Sequence, residues 1–155
     1  MKGNEKVLAC LNSLLADELT AISQYMVHSE MCDNWQYAAL HKAAEKRAID
    51  EMKHAEKLIG RLLFLEGTPV VSKLNEIHIG ASVEAQHRND TAAEVGAVKA
   101  YNDGIRLSGE AGDNGTKDLL TSILADEEAH LDWLEAQHDQ IEQIGIQTYL
   151  AQQIG

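Results

Sequence analysis

Asp50-Glu51-Met52-Lys53-His54 and Asp126-Glu127-Glu128-Ala129-His130 are one Asp-Glu-x-x-His pentad written twice, 76 residues apart. The same offset joins Glu18 to Glu94, Tyr25 to Tyr101 and Leu58 to Leu134. Glu and His are side chains that hold iron, manganese or zinc. A duplicated Glu, Glu-x-x-His set therefore predicts a two-metal site on a pseudo-two-fold axis.

On both sides of the pentads, helical periodicity runs through almost the whole chain. Leu11, Leu14, Leu15, Leu19, Ile22 and Tyr25 form one stripe of a first helix over about residues 6–33. Asn34 is read as the N-cap of a second helix over 35–65, which Gly67 and Pro69 end. Residues 66–80 form a long connection. Ser82 caps a third helix over 83–111, and Gly112-Asp113-Asn114-Gly115 form a turn before a fourth over 116–144. Gly145 stops that helix, and a short fifth follows over 146–153. Short turns make helices one and two, and three and four, into hairpins. The long connection has enough residues to return along the bundle and leave helices two and three parallel. The expectation is one all-α domain over 1–155, an antiparallel four-helix bundle with a long crossover and a short C-terminal helix.

Hairpin symmetry then fixes the height of the acidic residues. Glu18 and Glu51 are centred on position 34.5 and Glu94 and Glu127 on 110.5, both at the hairpin turns. All four carboxylates fall on one level, with His54 and His130 one turn further along the face of Glu51 and Glu127. They interrupt apolar stripes: Glu51 and His54 continue Leu40, Ala44, Leu58 and Leu62, and Glu127 and His130 sit among Leu120, Ile123, Leu124 and Leu134. Bare buried carboxylates at one level repel and are costly to desolvate. Two divalent cations neutralise four Glu, and two neutral His complete their ligands. One imidazole per ion among carboxylates suits iron or manganese better than a closed zinc site. Tyr25 and Tyr101 stand close enough to hydrogen-bond these ligands, although each also reads as a core residue. Two further pairs, Glu84-x-x-His87 and Glu135-x-x-His138, have no twin at the offset and read as solvated.

Composition narrows the function classes. Apolar residues make up 45% and aromatics only 5%, a balance that suits helices over sheets. The net charge of −12 excludes the basic face of a nucleic-acid binder. Cys10 and Cys32 on one helix lie roughly 33 Å apart and cannot pair, which points to a reducing, cytoplasmic compartment. Val7-Leu8-Ala9-Cys10 lacks the preceding apolar run of a lipoprotein signal, and no stretch is apolar enough to span a membrane.

Met1-Lys2-Gly3, Asp17-Glu18-Leu19-Thr20-Ala21, Gln24-Tyr25, Ile49 to Ala55, Leu63-Phe64-Leu65-Glu66-Gly67 and Asp126 to His130 together resemble the bacterioferritins over the full length. That resemblance implies a ferritin-like subunit of a hollow homo-oligomeric cage, a 24-mer assembled from dimers. Its activity would be that of a ferroxidase, oxidising ferrous iron with dioxygen or hydrogen peroxide and storing ferric mineral inside. By resemblance Glu51 and Glu127 bridge two irons, Glu18 and Glu94 are terminal, and His54 and His130 each bind one iron. It also implies haem b shared between two subunits and ligated by Met52, and a small ferredoxin as partner for iron release. Position alone would not nominate Met52, which lies about 100° around the helix from Glu51. Met26 stands where the family commonly has an aromatic near the haem. Lys46 stands where some members have a His near Asp50, so no particular inner-surface iron site is implied. Asn34, Glu66, Asp132 and Asp139 match residues of an iron entry pore. The rival readings are a di-iron or di-manganese peroxidase of the rubrerythrin or catalase type, and a metal-free helical scaffold.

Overall fold

The structure, a computed structural model, describes all residues from Met1 to Gly155. It contains five helices and no strand: α1 (Glu5–Asn34), α2 (Ala38–Phe64), α3 (Val83–Glu110), α4 (Asn114–Ile144) and α5 (Ile146–Ala151). Each of the first four buries one apolar stripe against its neighbours. Polar side chains satisfy the exposed N–H groups at three of their starts. Asn4 accepts from Lys6 and Val7, Ser82 from Ala85, and Asp113 from Thr116.

Three helix ends share one device. In each, the residue after the cap takes a left-handed conformation, and two N–H groups turn back to the last carbonyls. Tyr37 N–H donates to Cys32 and Gln36 N–H to Asp33. Gly67 donates to Leu62 and Glu66 to Leu63, while Asp113 donates to Ser108 and Gly112 to Gly109. The left-handed residues are Gln36 (φ 66°), Glu66 (φ 61°) and Gly112 (φ 74°). This corrects the reading of Asn34 as the start of α2. Asn34 is the last residue of α1, and α2 begins after Tyr37, which gives it no side-chain cap. Likewise α4 begins two residues before the expected 116, because Asp113 is its cap and is itself held by Arg61 at 2.8 Å. The fifth helix ends at Ala151, two residues short of the expected 153.

The crossover, residues 65–82, runs as a strap along α1. Asn12 holds Thr68 and Val70, Thr20 holds Asn75, Gln24 holds His78, and His28 accepts from Gly80 N–H at 3.0 Å. The strap thus travels from the N-terminal to the C-terminal half of α1. Since α2 ends beside the N-terminus (Gly3 N–H to Leu65 O, 2.9 Å) and α3 begins near His28, α2 and α3 run parallel, both antiparallel to α1.

Two apolar clusters close the ends of the bundle. The larger contains Val7, Leu11, Leu14, Leu58, Leu62 and Leu120 among others. The smaller joins Cys32, Leu40, Val83 and Tyr149, packed with Trp35, Trp133 and Ile141. The polar centre lies between them.

Candidate metal centre

The bundle brings all six duplicated residues together, one from each of α1 and α3 and two from each of α2 and α4. All are buried; Glu18, Glu51 and Glu94 are each 2% exposed and Glu127 is fully covered. Their ligand atoms form two sets, Glu18–Glu51–His54–Glu127 and Glu51–Glu94–Glu127–His130, each gathered within 4.8 Å. Glu51 and Glu127 belong to both sets, so the two positions share a pair of carboxylates.

The two imidazoles line up in tilted rings 6.4 Å apart. His54 Nδ1 lies 2.9 Å from Glu127 Oε1 and 3.7 Å from Glu18 Oε2. His130 Nδ1 lies 3.1 Å from Glu51 Oε1 and 3.6 Å from Glu94 Oε1. These are ion-pair separations without hydrogen-bond geometry. Nine buried side-chain polar atoms of the protein lack a hydrogen-bond partner, and seven belong to these six residues. Such groups are costly to bury unless a cation satisfies them, so the donor set fits two metal ions.

The other faces of these side chains are anchored. Tyr25 donates to Glu94 Oε1 and Tyr101 to Glu18 Oε1, which leaves the second oxygen of each Glu unpaired and free to face a cation. Each Tyr thus reaches across to the acid of the opposite hairpin, not to the one on its own helix. His54 Nε2 meets Asp126 at 2.8 Å and His130 Nε2 meets Asp50 at 3.2 Å, again crossing between α2 and α4. A carboxylate behind each imidazole holds its ring and turns Nδ1 inward. The repeat contained both Asp residues, but only the fold assigns them this task.

Electrostatics follow from the packing. Burial lifts Glu94 to about 8, helped by Glu127 and opposed by His130, and burial beside Glu18 pushes Glu51 well above the ordinary range. Burial opposes protonation of both imidazoles, yet the carboxylates against them override it and raise His54 to about 10 and His130 to about 9. Burial would raise Glu127 too, but His130 and His54 hold it far below its usual value. Without metal, protons do the neutralising.

A cavity of about 510 Å³ opens between α1 and α3 beside the strap and reaches Glu18, Glu51, Glu94 and Glu127. Asp17, Asn75, Glu76 and His78 line its outer part.

The remaining expected site residues lie elsewhere. Met52 is on the outer surface of α2, 46% exposed, and Ile49, Met26 and Val27 also expose apolar surface on α1 and α2. Asn34 ends α1, and Glu66 follows α2 at the opposite end of the bundle; Asp132 and Asp139 are exposed on α4. Both cysteines are free, and no helix is long and apolar enough to cross a membrane. One expectation is overturned in part: Glu135 is exposed and Glu84 half-buried, but the histidines of the Glu84-x-x-His87 and Glu135-x-x-His138 pairs turn inward. His87 is 5% exposed and meets the Tyr149 hydroxyl at 3.0 Å, and its ring faces that of His138, which meets Thr91 at 2.9 Å.

This combination of a five-helix chain and a duplicated carboxylate–histidine level defines a ferritin-like protein, and the ferritin-like domain family matches residues 8–144. The chain is 40% identical over 149 residues to a bacterioferritin of Rhodobacter capsulatus, covering 96% of this chain and 92% of that protein. It is 39% identical over 152 residues to one of Mycolicibacterium paratuberculosis, covering 98% and 96%. To bacterioferritin BfrA of Mycobacterium tuberculosis it is 38% identical, with the same coverage. The chain belongs to the bacterioferritin family.

Proposed function

We propose that the protein is an iron-storage ferroxidase, a single ferritin-like domain that forms the subunit of a 24-subunit cage. The observation that carries this reading is the concentration of unpartnered buried polar atoms: seven of nine lie on Glu18, Glu51, His54, Glu94, Glu127 and His130. Ferrous iron is the substrate. The cavity between α1 and α3 supplies a route to the four carboxylates, and the acidic lining favours a cation. Glu18 with His54, and Glu94 with His130, each hold one ion, and Glu51 and Glu127 lie between the two. Bound ferrous ions supply the electrons that reduce dioxygen or hydrogen peroxide. Tyr101 and Tyr25 fix the orientation of Glu18 and Glu94, and Asp126 and Asp50 fix the histidines. Metal entry displaces the protons that His54, His130 and Glu94 carry in the empty site.

Met52 of each of two subunits would hold a haem b at their interface; an exposed thioether amid exposed apolar side chains suits that use. A small ferredoxin would then supply electrons for iron release. Asn34 and Glu66, at opposite ends of one subunit, can meet in an entry pore only across subunits. Free cysteines suit a cytoplasmic protein.

Aerobic titration with ferrous iron tests this reading. The purified particle should take up hundreds of irons and carry a haem Soret band that Met52→Leu removes. Uptake of about two irons per subunit would support a peroxidase instead, and no uptake would support a scaffold.

A further inference from the structure

The centre is closely symmetric in its ligands and in the groups behind them, but not in charge. At the offset of 76, Asp50 corresponds to Asp126 and Tyr25 to Tyr101, whereas Lys46 and Arg47 correspond to Ser122 and Ile123. Lys46 Nζ donates to Asp50 Oδ2 at 3.0 Å, the same oxygen that His130 Nε2 meets at 3.2 Å. Asp126 Oδ2 meets His54 Nε2 at 2.8 Å and has no Lys or Arg within ion-pair range. Arg47 is buried with its guanidinium 5.6 Å from the centre of the Tyr25 ring and 5.4 Å from that of Trp133, and it pairs with no carboxylate. Tyr25 is the hydrogen-bond donor to Glu94. Both cations therefore stand behind the Glu51–Glu94–Glu127–His130 position, and neither has a counterpart behind the other.

We propose that Lys46 and Arg47 make the two metal positions unequal, so that the Glu18–Glu51–His54–Glu127 position takes the first divalent cation. This rests on the reading of the six residues as a two-metal centre. Two effects act in the same direction. Lys46 shares the charge of Asp50, which makes His130 a weaker donor than His54 with its unshared Asp126. A fixed positive charge nearby also opposes an arriving divalent ion. For one solvent-exposed cation at this range the screened effect on affinity is about threefold. Arg47 is less screened by solvent, but the buried Asp90 carboxylate lines the same pocket and offsets part of its charge, so the two cations together separate the positions by at least about threefold.

Ser122 precedes Asp126 by four residues, as Lys46 precedes Asp50. It is exposed, and its hydroxyl bonds only to the Leu119 carbonyl of its own helix. Ser122→Lys therefore builds the missing cation behind His54, and Lys46→Ser removes the existing one, both at the surface.

Anomalous zinc occupancies in crystals of the assembled protein loaded with one zinc per subunit test this; zinc is redox-inert and stays where it binds. Wild type should hold zinc chiefly at the His54 position. Ser122→Lys and Lys46→Ser should each shift the ratio about threefold toward the His130 position, and Ser122→Gln should leave it unchanged. Equal wild-type occupancies, preference for the His130 position, or a Ser122→Lys ratio equal to that of Ser122→Gln would overturn the inference while leaving the two-metal reading intact. No zinc at either position at saturation would overturn both.

Discussion

Two buried polar regions meet on α3, one helical turn apart, and they are built on opposite terms. Toward the N-terminal end of α3, Gln86, His87 and Asp90 belong to a network that pairs most of its polar atoms. His87 meets Tyr149, Tyr149 donates to Gln137 at 2.6 Å, Gln24 donates to Asp90 at 2.8 Å, and Gly80 N–H donates to His28 Nε2 at 3.0 Å. One turn on, Glu94 belongs to the level where most atoms facing the centre have no partner. The first region spends its polarity on fastening α5 and the strap to the bundle. The second leaves its polarity unpaired, as the proposed metal site requires. Burial alone does not separate a structural polar cluster from a binding site; the pairing of its atoms does.

Substitutions in the two regions should therefore act on different quantities. Glu51→Gln removes a carboxylate common to both metal positions. Divalent-metal affinity should fall by more than the roughly 10–100-fold that loss of an outer-shell partner costs, measured by calorimetric titration. The metal-free protein should lose no stability, since burial already disfavours the Glu51 charge. Tyr149→Phe should do the reverse, costing about 1–3 kcal/mol by leaving His87 and Gln137 unpaired while metal affinity stays unchanged. Should Tyr149→Phe weaken metal binding as Glu51→Gln does, the two regions are one site.

Acid and base separate them further. Burial lowers His87 from an ordinary value near 6.5 to about 4. Its contribution is thus present above pH 6.5 and lost as pH falls toward 4, at most about 3 kcal/mol from a shift of this size. His54 and His130 in the empty centre are raised to about 10 and about 9, so their contribution is present below pH 6.5 and lost as pH rises through 9 to 10. Thermal melts of the metal-free protein should weaken on both sides of neutrality. Bound divalent metal, which needs neutral imidazoles, should abolish the alkaline loss and leave the acid loss in place.

The same contrast explains what the sequence made legible. A two-metal centre demands particular residue types at heights set by helix geometry, so Glu18, Glu51, His54 and their twins stand out as a fixed offset. The structural network carries no such rule. His87 depends on Tyr149, 62 residues away on a six-residue helix, and nothing in the local pattern of Glu84-x-x-His87 announces that partner. The strap anchors Asn12, Thr20, Gln24 and His28 do follow helical spacing, but they are ordinary polar residues beside a stronger apolar stripe. Asn34 ends α1 instead of capping α2 for a related reason. A left-handed glutamine, Gln36, ends α1 where sequence rules look for glycine, so the turn falls two residues later than its composition suggests. The crossed contacts of Tyr25, Tyr101, Asp50 and Asp126 needed the bundle itself, because each joins helices from opposite hairpins.

The unpaired level is the proposed site for two metal ions. Titration of the metal-free protein with cobalt(II), followed by the visible absorption of the bound ion, tests it most directly. The signal should grow until two cobalt ions are bound per subunit and then stop. Saturation at one ion per subunit, or no bound cobalt at all, would contradict it.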